Sequence, residues 1–223
     1  MRKKLYIIPM SIFLLLSSTA CEDYLDVNKN VDAPDRVDAH LYLAGILQSY
    51  EGMYWDIRAI GGLTQMMGSS SYEEFANHEY ILGSDAGGEV WRTVYWLQGM
   101  NLENLINQSI AAEDWTLAGI GYAIKAYSWD QLTKIHADLP LKDAFVPELL
   151  SHDYDYQQDI YPQVRAWAYK AIEYLEMEDT HVYGTRISDN DFIYGGDKAK
   201  WIKFAYGVIV RNLASLSNKN NFT

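Results

Sequence analysis

The sequence of 223 residues holds one cysteine, Cys21. A disulfide within the chain needs two, so none forms. Positive charge is also scarce: 18 Lys and Arg stand against 30 Asp and Glu, a formal net charge of −12. So acidic a surface repels nucleic acid and anionic lipid headgroups, and suits a neutral or cationic ligand. Long apolar runs are missing too. The stretch Leu5 to Leu16 falls short of the ~20 residues that a membrane-spanning helix requires, and no longer one follows. Enzyme signatures are absent. His78-Glu79 lacks the second histidine of a zinc-protease helix, and there is no Gly-x-Ser-x-Gly and no phosphate-binding loop. Carboxylates abound, yet nothing singles out a pair spaced for glycoside hydrolysis.

What is present begins with an export signal. Arg2, Lys3 and Lys4 form a basic start, Leu5 to Leu16 an apolar run broken by Pro9, and Ser17 to Ala20 a cleavage region of small residues, so residues 1–20 read as a signal peptide. Its removal takes away three bases and no acid, which moves the formal charge from −12 to −15. The run Leu16-Ser17-Ser18-Thr19-Ala20-Cys21 resembles a bacterial lipobox, in which the cysteine is acylated and the chain cut just before it. Residues 21–38 then form a lipidated linker; its acidic start, Glu22-Asp23, resembles a surface-export signal of Bacteroidetes lipoproteins. Two or three acyl chains hold a protein on a membrane far more firmly than one. Asp26, Asn28, Asn30 and Asp32 alternate as calcium ligands do, but Val31 stands at the turn glycine and Val37 at the closing glutamate, which favours a solvated linker. No metal and no cofactor is assigned.

Residues 39–223 read as one mainly α-helical domain. Aromatics make up 14% of the chain, with 18 Tyr and 7 Trp, far too many for a disordered one. Apolar residues recur in steps of three and four, the period of a helix with one buried face. The first face starts at Ala39 behind Asp38 and carries Leu41, Ala44 and Leu47, then Met53, Ile57, Ile60 and Leu63. A second carries Trp91, Val94, Tyr95, Leu102, Leu105 and Ile106. A third carries Leu117, Ile120, Ile124, Tyr127 and Ile135 and ends at Asp138-Leu139-Pro140. A fourth carries Ile160, Val164, Trp167, Ala171 and Leu175, with Pro162 placed in the first turn, where proline is tolerated. The last carries Trp201, Phe204, Ala205 and Val208 behind an Asp197 cap. Trp115, Gly119 and Tyr122 keep the spacing of a tetratricopeptide first helix, although Ala118, Gln131 and Ile135 depart from that pattern.

Two segments lack a period and read as long loops, 67–88 and 181–196, with a short strand near Tyr80-Ile81-Leu82. Long loops in compact domains are commonly functional. Sugar recognition needs flat apolar faces and nearby hydrogen-bonding groups, which aromatic residues on loops supply. Tyr72, Phe75, Tyr80 and Trp91 are the candidate ligand-binding residues, with Tyr183 and Tyr194 from the second loop. Asn77, His78 and Arg92 are candidate hydrogen-bonding partners. For Trp91, which heads an apolar stripe, core packing is the stronger reading. For Tyr72 and Phe75, flanked by Ser and Glu, the two readings balance.

Several of these pieces resemble one family. They are Cys21-Glu22-Asp23-Tyr24-Leu25-Asp26-Val27, the helix from Trp91 to Asn107, and Ala126-Tyr127-Ser128-Trp129-Asp130-Gln131-Leu132 leading to Asp138-Leu139-Pro140-Leu141. Gly196-Asp197-Lys198-Ala199-Lys200-Trp201, with Arg211 beyond, completes the set. In that order they resemble the SusD/RagB nutrient-binding outer-membrane lipoproteins. The resemblance implies tetratricopeptide-like helical pairs with long loops, and a place at the cell surface as lid to a SusC-type TonB-dependent transporter. It also implies capture of oligosaccharides or peptides without catalysis. Members of that family run to about twice this length, so the resemblance implies an incomplete SusD-like fold, the N-terminal portion. A lipid-anchored α-helical glycoside hydrolase is the rival reading, since it would share the anchor, the helices and the aromatics.

Acylation is directly testable. Replacing the sole cysteine, Cys21→Ala, should abolish incorporation of radioactive fatty acid and release the protein from membranes. Equal label in both forms would disprove the anchor.

Overall fold

The computed structural model describes residues 37–66, 87–146, 148–180 and 184–219, with side chains for all of these except 54, 55, 57–59, 63, 184 and 185. The helices are α1 (Ala39–Gln48), α2 (Tyr50–Leu63), α3 (Gly88–Arg92), α4 (Gly99–Ala111), α5 (Trp115–His136), α6 (Gln157–Glu176), α7 (Gly184–Asn190) and α8 (Lys198–Ala214). A π-helical turn, Thr93–Gln98, joins α3 to α4. No strand occurs among the described residues; extended pairing is limited to the isolated bridge between Leu139 and Asp155. The mainly α reading therefore holds.

Helix α5 is the axis of the domain. Leu117, Ala118, Ile120, Ala123, Ile124, Ala126, Trp129 and Leu132 are all buried, and together they leave almost no side of the helix in water. A helix apolar all round belongs in the middle of a core. It packs against α6, α4 and α8, and α1 packs on α4. Its start is fixed by Asp114, whose carboxylate accepts from Leu117 N at 3.1 Å and whose burial raises its pKa above the ordinary range. Asp179 reaches across from the end of α6 to accept from Thr116 N at 2.8 Å.

The tetratricopeptide-like signature has a clear physical origin. Trp115 stacks on Tyr174 of α6, with centroids 5.3 Å apart, and Tyr122 meets the same ring at 5.7 Å. Between them Gly119 lets α6 come close. A Cβ there would stand 2.5 Å from Leu175 Cγ and 3.0 Å from Ala171 O. The second-helix pattern fails at Gln131 and Ile135 because α5 runs on through both, and its partner α6 begins only at Gln157.

Four expectations need correction. In α1 the buried residues are Leu43, Ile46 and Leu47, while Leu41 is 51% exposed, as is much of Ile60 in α2. The buried face is thus rotated from the one assumed, because α1 packs on α4 and the π turn instead of continuing one straight stripe into α2. Pro162 lies in the second turn of α6, not the first; it deprives the Gln158 carbonyl of its helical donor, and Gln158 is exposed to water. The segment 181–196 contains α7, so it is not a continuous loop. The helix expected from Trp91 to Asn107 is interrupted by the π turn.

At the other end Asp197 caps α8, accepting from Lys200 N at 3.1 Å. A buried polar group ties this helix down. Asp130 of α5 accepts from Asn212 Nδ2 at 2.9 Å and from Lys134 Nζ at 2.6 Å, and Arg165 of α6 donates to Asn212 Oδ1 at 2.6 Å. The buried carboxylate is thereby both paired and hydrogen-bonded. Asp191 serves the turn before α8, accepting from Gly196 N and from Trp201 Nε1, each at 2.7 Å.

The packing makes two glycines behave oppositely. Gly119→Ala should cost roughly 1–3 kcal/mol through overpacking against α6, seen as a lower melting temperature. Gly207→Ala, at an exposed position of α8 with no described atom within 4 Å of the new Cβ, should gain about 0.5–1 kcal/mol. Equal shifts for both would refute the close α5–α6 approach.

Candidate functional site

Helices α1, α2 and α3 and the π turn build one surface, with α2 and α3 on either side of residues 67–86 in the chain. Ser49 marks the break between α1 and α2. Its Oγ donates to Ile46 O at 2.6 Å and accepts from Gln98 Nε2 at 3.0 Å, and its carbonyl accepts from Thr93 Oγ1 at 3.3 Å. Tyr50 carries the connection inward, its OH 2.7 Å from Ser128 Oγ of α5; burial pushes this phenol's pKa well above the ordinary value. Asp56 of α2 accepts from Val90 N at 2.7 Å, which satisfies one free donor at the start of α3. Gly87 enters α3 at φ +77°, and its carbonyl meets His136 Nε2 of α5 at 2.8 Å. Two of these contacts, Tyr50 to Ser128 and Gly87 to His136, pin this surface to the central helix.

Trp91 is half-buried. Its ring lies 4.6 Å from Tyr95 and 5.3 Å, edge-on, from His136, and it packs against the core. Tyr95 in turn donates to Pro140 O at 2.5 Å and contacts Trp129, and its burial raises its pKa. Arg92 pairs with Glu89. Tyr72, Phe75, Tyr80, Asn77, His78 and the strand near Tyr80 lie outside the described residues, as do Cys21, the Asp26–Asp32 segment and Tyr183. Tyr194 packs edge-on against Trp201 at 5.1 Å.

The π turn adds a residue that the sequence reading passed over. Val94 and Gln98 are buried beside the core, while Trp96 is 81% exposed. An indole held outward on a fixed helical turn is a stacking platform for a flat apolar face. π turns recur at functional sites. The signal was present: Tyr95, Trp96 and Leu97 are three consecutive large apolar residues, and no helix turns all three to one core.

Beside this turn lies an open groove of about 570 Å³. Ile46 and Ser49 form its floor, Leu41, Tyr42 and Leu97 apolar walls, and Gln48, Glu51, Glu89 and Asn101 a polar rim, with Gly45 and Gly52 between. Its size lies within the ~300–1,000 Å³ usual for small-ligand sites. No cluster of three or more metal-ligating side chains occurs among the described residues. No described helix is long and apolar enough to cross a membrane.

Residues 45–222 match the family described as SusD-like, starch-binding associating with outer membrane. Among solved structures, a SusD/RagB family protein from Bacteroides thetaiotaomicron is similar with a TM-score of 0.66 at 20% identity, covering 83% of this chain and 40% of its own. A chitin-binding protein is similar with a TM-score of 0.65 at 24% identity, covering 82% of this chain and 39% of its own. At these identities the likeness shows the fold. The chain spans about two fifths of the length of both structures. No curated protein matches it in sequence.

Proposed function

Because the chain belongs to the SusD-like family, we propose that it binds oligosaccharides without cleaving them and delivers them to a SusC-type TonB-dependent transporter. In this reading Cys21 carries the lipid that holds it on the outer membrane, facing the cell's surroundings. The observation that carries the proposal is the family match over residues 45–222. The printed descriptions of the family, as starch-binding, and of one structural neighbour, as chitin-binding, agree in naming a polysaccharide.

The surface supports the same chemistry. Starch- and chitin-type glycans are neutral and polyhydroxylated, so they suit an acidic protein better than nucleic acid would. Tyr72, Phe75, Tyr80 and Trp91 remain the proposed ligand-binding residues, and the exposed indole of Trp96 is added to them. Trp91 in this scheme offers only the part of its ring that Tyr95 and His136 leave uncovered. Peptides are the second ligand class that the resemblance allows, and the same assay separates the two.

Titration calorimetry of the purified chain against maltoheptaose, N-acetylchitohexaose and a peptide digest should show binding to an oligosaccharide with no release of reducing ends. Tyr72→Ala, Phe75→Ala and Trp96→Ala should each weaken binding about tenfold, equivalent to about 1.4 kcal/mol, with the melting temperature unchanged. Liberated reducing ends would favour the hydrolase. Binding to the peptides alone would replace the glycan as cargo.

A further inference from the structure

The groove between α1, α2 and the π turn has features that the fold itself does not use. Gly45 lies in the middle of α1, exposed, with no described atom within 4 Å of the place its Cβ would occupy. Glycine destabilises a helix interior relative to alanine. Gly119 and Gly121 return that cost by admitting Leu175 and by admitting Leu105 and Ile106. Gly45 admits no described part of the chain, and it opens onto the groove. Gly207 is equally open but lines no groove.

The second feature is the sign of the lining. Glu51 and Glu89 contribute carboxylates, Gln48 and Asn101 amides, and none of the described lining residues is Lys, Arg or His. Glu89 turns one carboxylate oxygen to Arg92, and its other oxygen, Oε2, stands 3.2 Å from the Cβ position of Gly52, over the groove's edge. The acceptors thus ring an apolar floor at Ile46 and apolar walls at Leu41 and Leu97.

We propose that this groove is a subsite for one sugar unit of the bound glycan, and that it takes neutral or amine-bearing units and rejects carboxylate-bearing ones. The proposal rests on the carbohydrate reading above. A pyranose ring presents an apolar C–H face to Ile46, Leu41 and Leu97, and its hydroxyl groups donate to Glu51, Glu89 and the amide oxygens. An ammonium on the sugar gains a charge-assisted bond from the same carboxylates. A sugar carboxylate meets the Glu51 carboxylate, with no described lining cation beside it and with Arg92 already paired to Glu89, so it is repelled.

Calorimetry of the full chain with maltoheptaose, N-acetylchitohexaose, chitosan hexamer and hexagalacturonate tests both parts. The tightest neutral or amine-bearing probe should bind at least about tenfold more tightly than hexagalacturonate, and Glu51→Gln should narrow that ratio. Gly45→Phe places a ring in the groove from a position whose Cβ meets no described atom within 4 Å. It should weaken binding of the neutral probe at least about tenfold while the melting temperature holds or rises. Leu41→Ala and Leu97→Ala, both at exposed positions, provide a second route and should weaken binding severalfold with folding intact. Unaltered affinity in all three variants overturns the subsite and leaves the carbohydrate reading standing. Equal affinity for hexagalacturonate overturns the charge selection. Failure of the unmodified chain to bind any of the four probes overturns the carbohydrate reading and the subsite with it.

Discussion

The domain depends on how closely its helices approach α5. This helix can serve as a hub because small residues occupy the positions where its neighbours cross. Gly119 receives Leu175 and the backbone of α6 at distances that no side chain would permit, and Gly121 receives Ile106 and Leu105 of α4, which lie 2.7 and 2.8 Å from its Cβ position. Close-packed interiors transmit such constraints, because no slack exists to absorb an added methyl group. The large residues of α5 then fill the space between the crossings, with Trp129 meeting Trp167 of α6 and Tyr95 of the π turn.

The groove inherits its position from that axis. Tyr50 is bound to Ser128, Tyr95 to Trp129 and Pro140, and Gly87 to His136. All but Pro140 are contacts made directly to α5. They hold α2, α3 and the π turn in register, and so fix where Trp96, Glu89 and Glu51 stand. A recognition surface on rigid elements loses less entropy on binding than one assembled from mobile side chains. The acidic bias of the whole chain and the Glu51 and Glu89 carboxylates of the groove act in the same direction, against anionic ligands.

Most helices were legible because their cores are periodic: the stripes of α5, α6 and α8 are buried largely as their spacing required. Trp115, Gly119 and Tyr122 announced a close helix pair. Asp197 announced its cap. What could not be read was tertiary in origin. The buried face of α1 is set by α4 and the π turn, which lie some fifty residues along the chain, and a local moment cannot sense them. The π turn itself depends on Ser49, Thr93 and Gln98 bonding across two helices. Trp96 escaped notice for the same reason, since a straight helix through Trp91 and Tyr95 gives it no special place. The groove was invisible because its residues come from five separate elements, and its key position, Gly45, is marked by a missing side chain. Of the aromatics singled out for ligand contact, the structure describes Trp91 and Tyr194: Trp91 sits half in the core, as its place at the head of a stripe suggested, and Tyr194 packs on Trp201.

Glycans are the proposed ligands of this chain, and the groove beside the π turn is the surface proposed for them. Hydrogen–deuterium exchange of the purified chain, with and without saturating maltoheptaose or N-acetylchitohexaose, measures that link at the peptide level. The account predicts slowed exchange in peptides covering residues 41–52 and 89–101, with α6 and α8 unchanged. Unchanged exchange across both of those segments while a glycan is bound, with protection confined to α6 or α8, would contradict it.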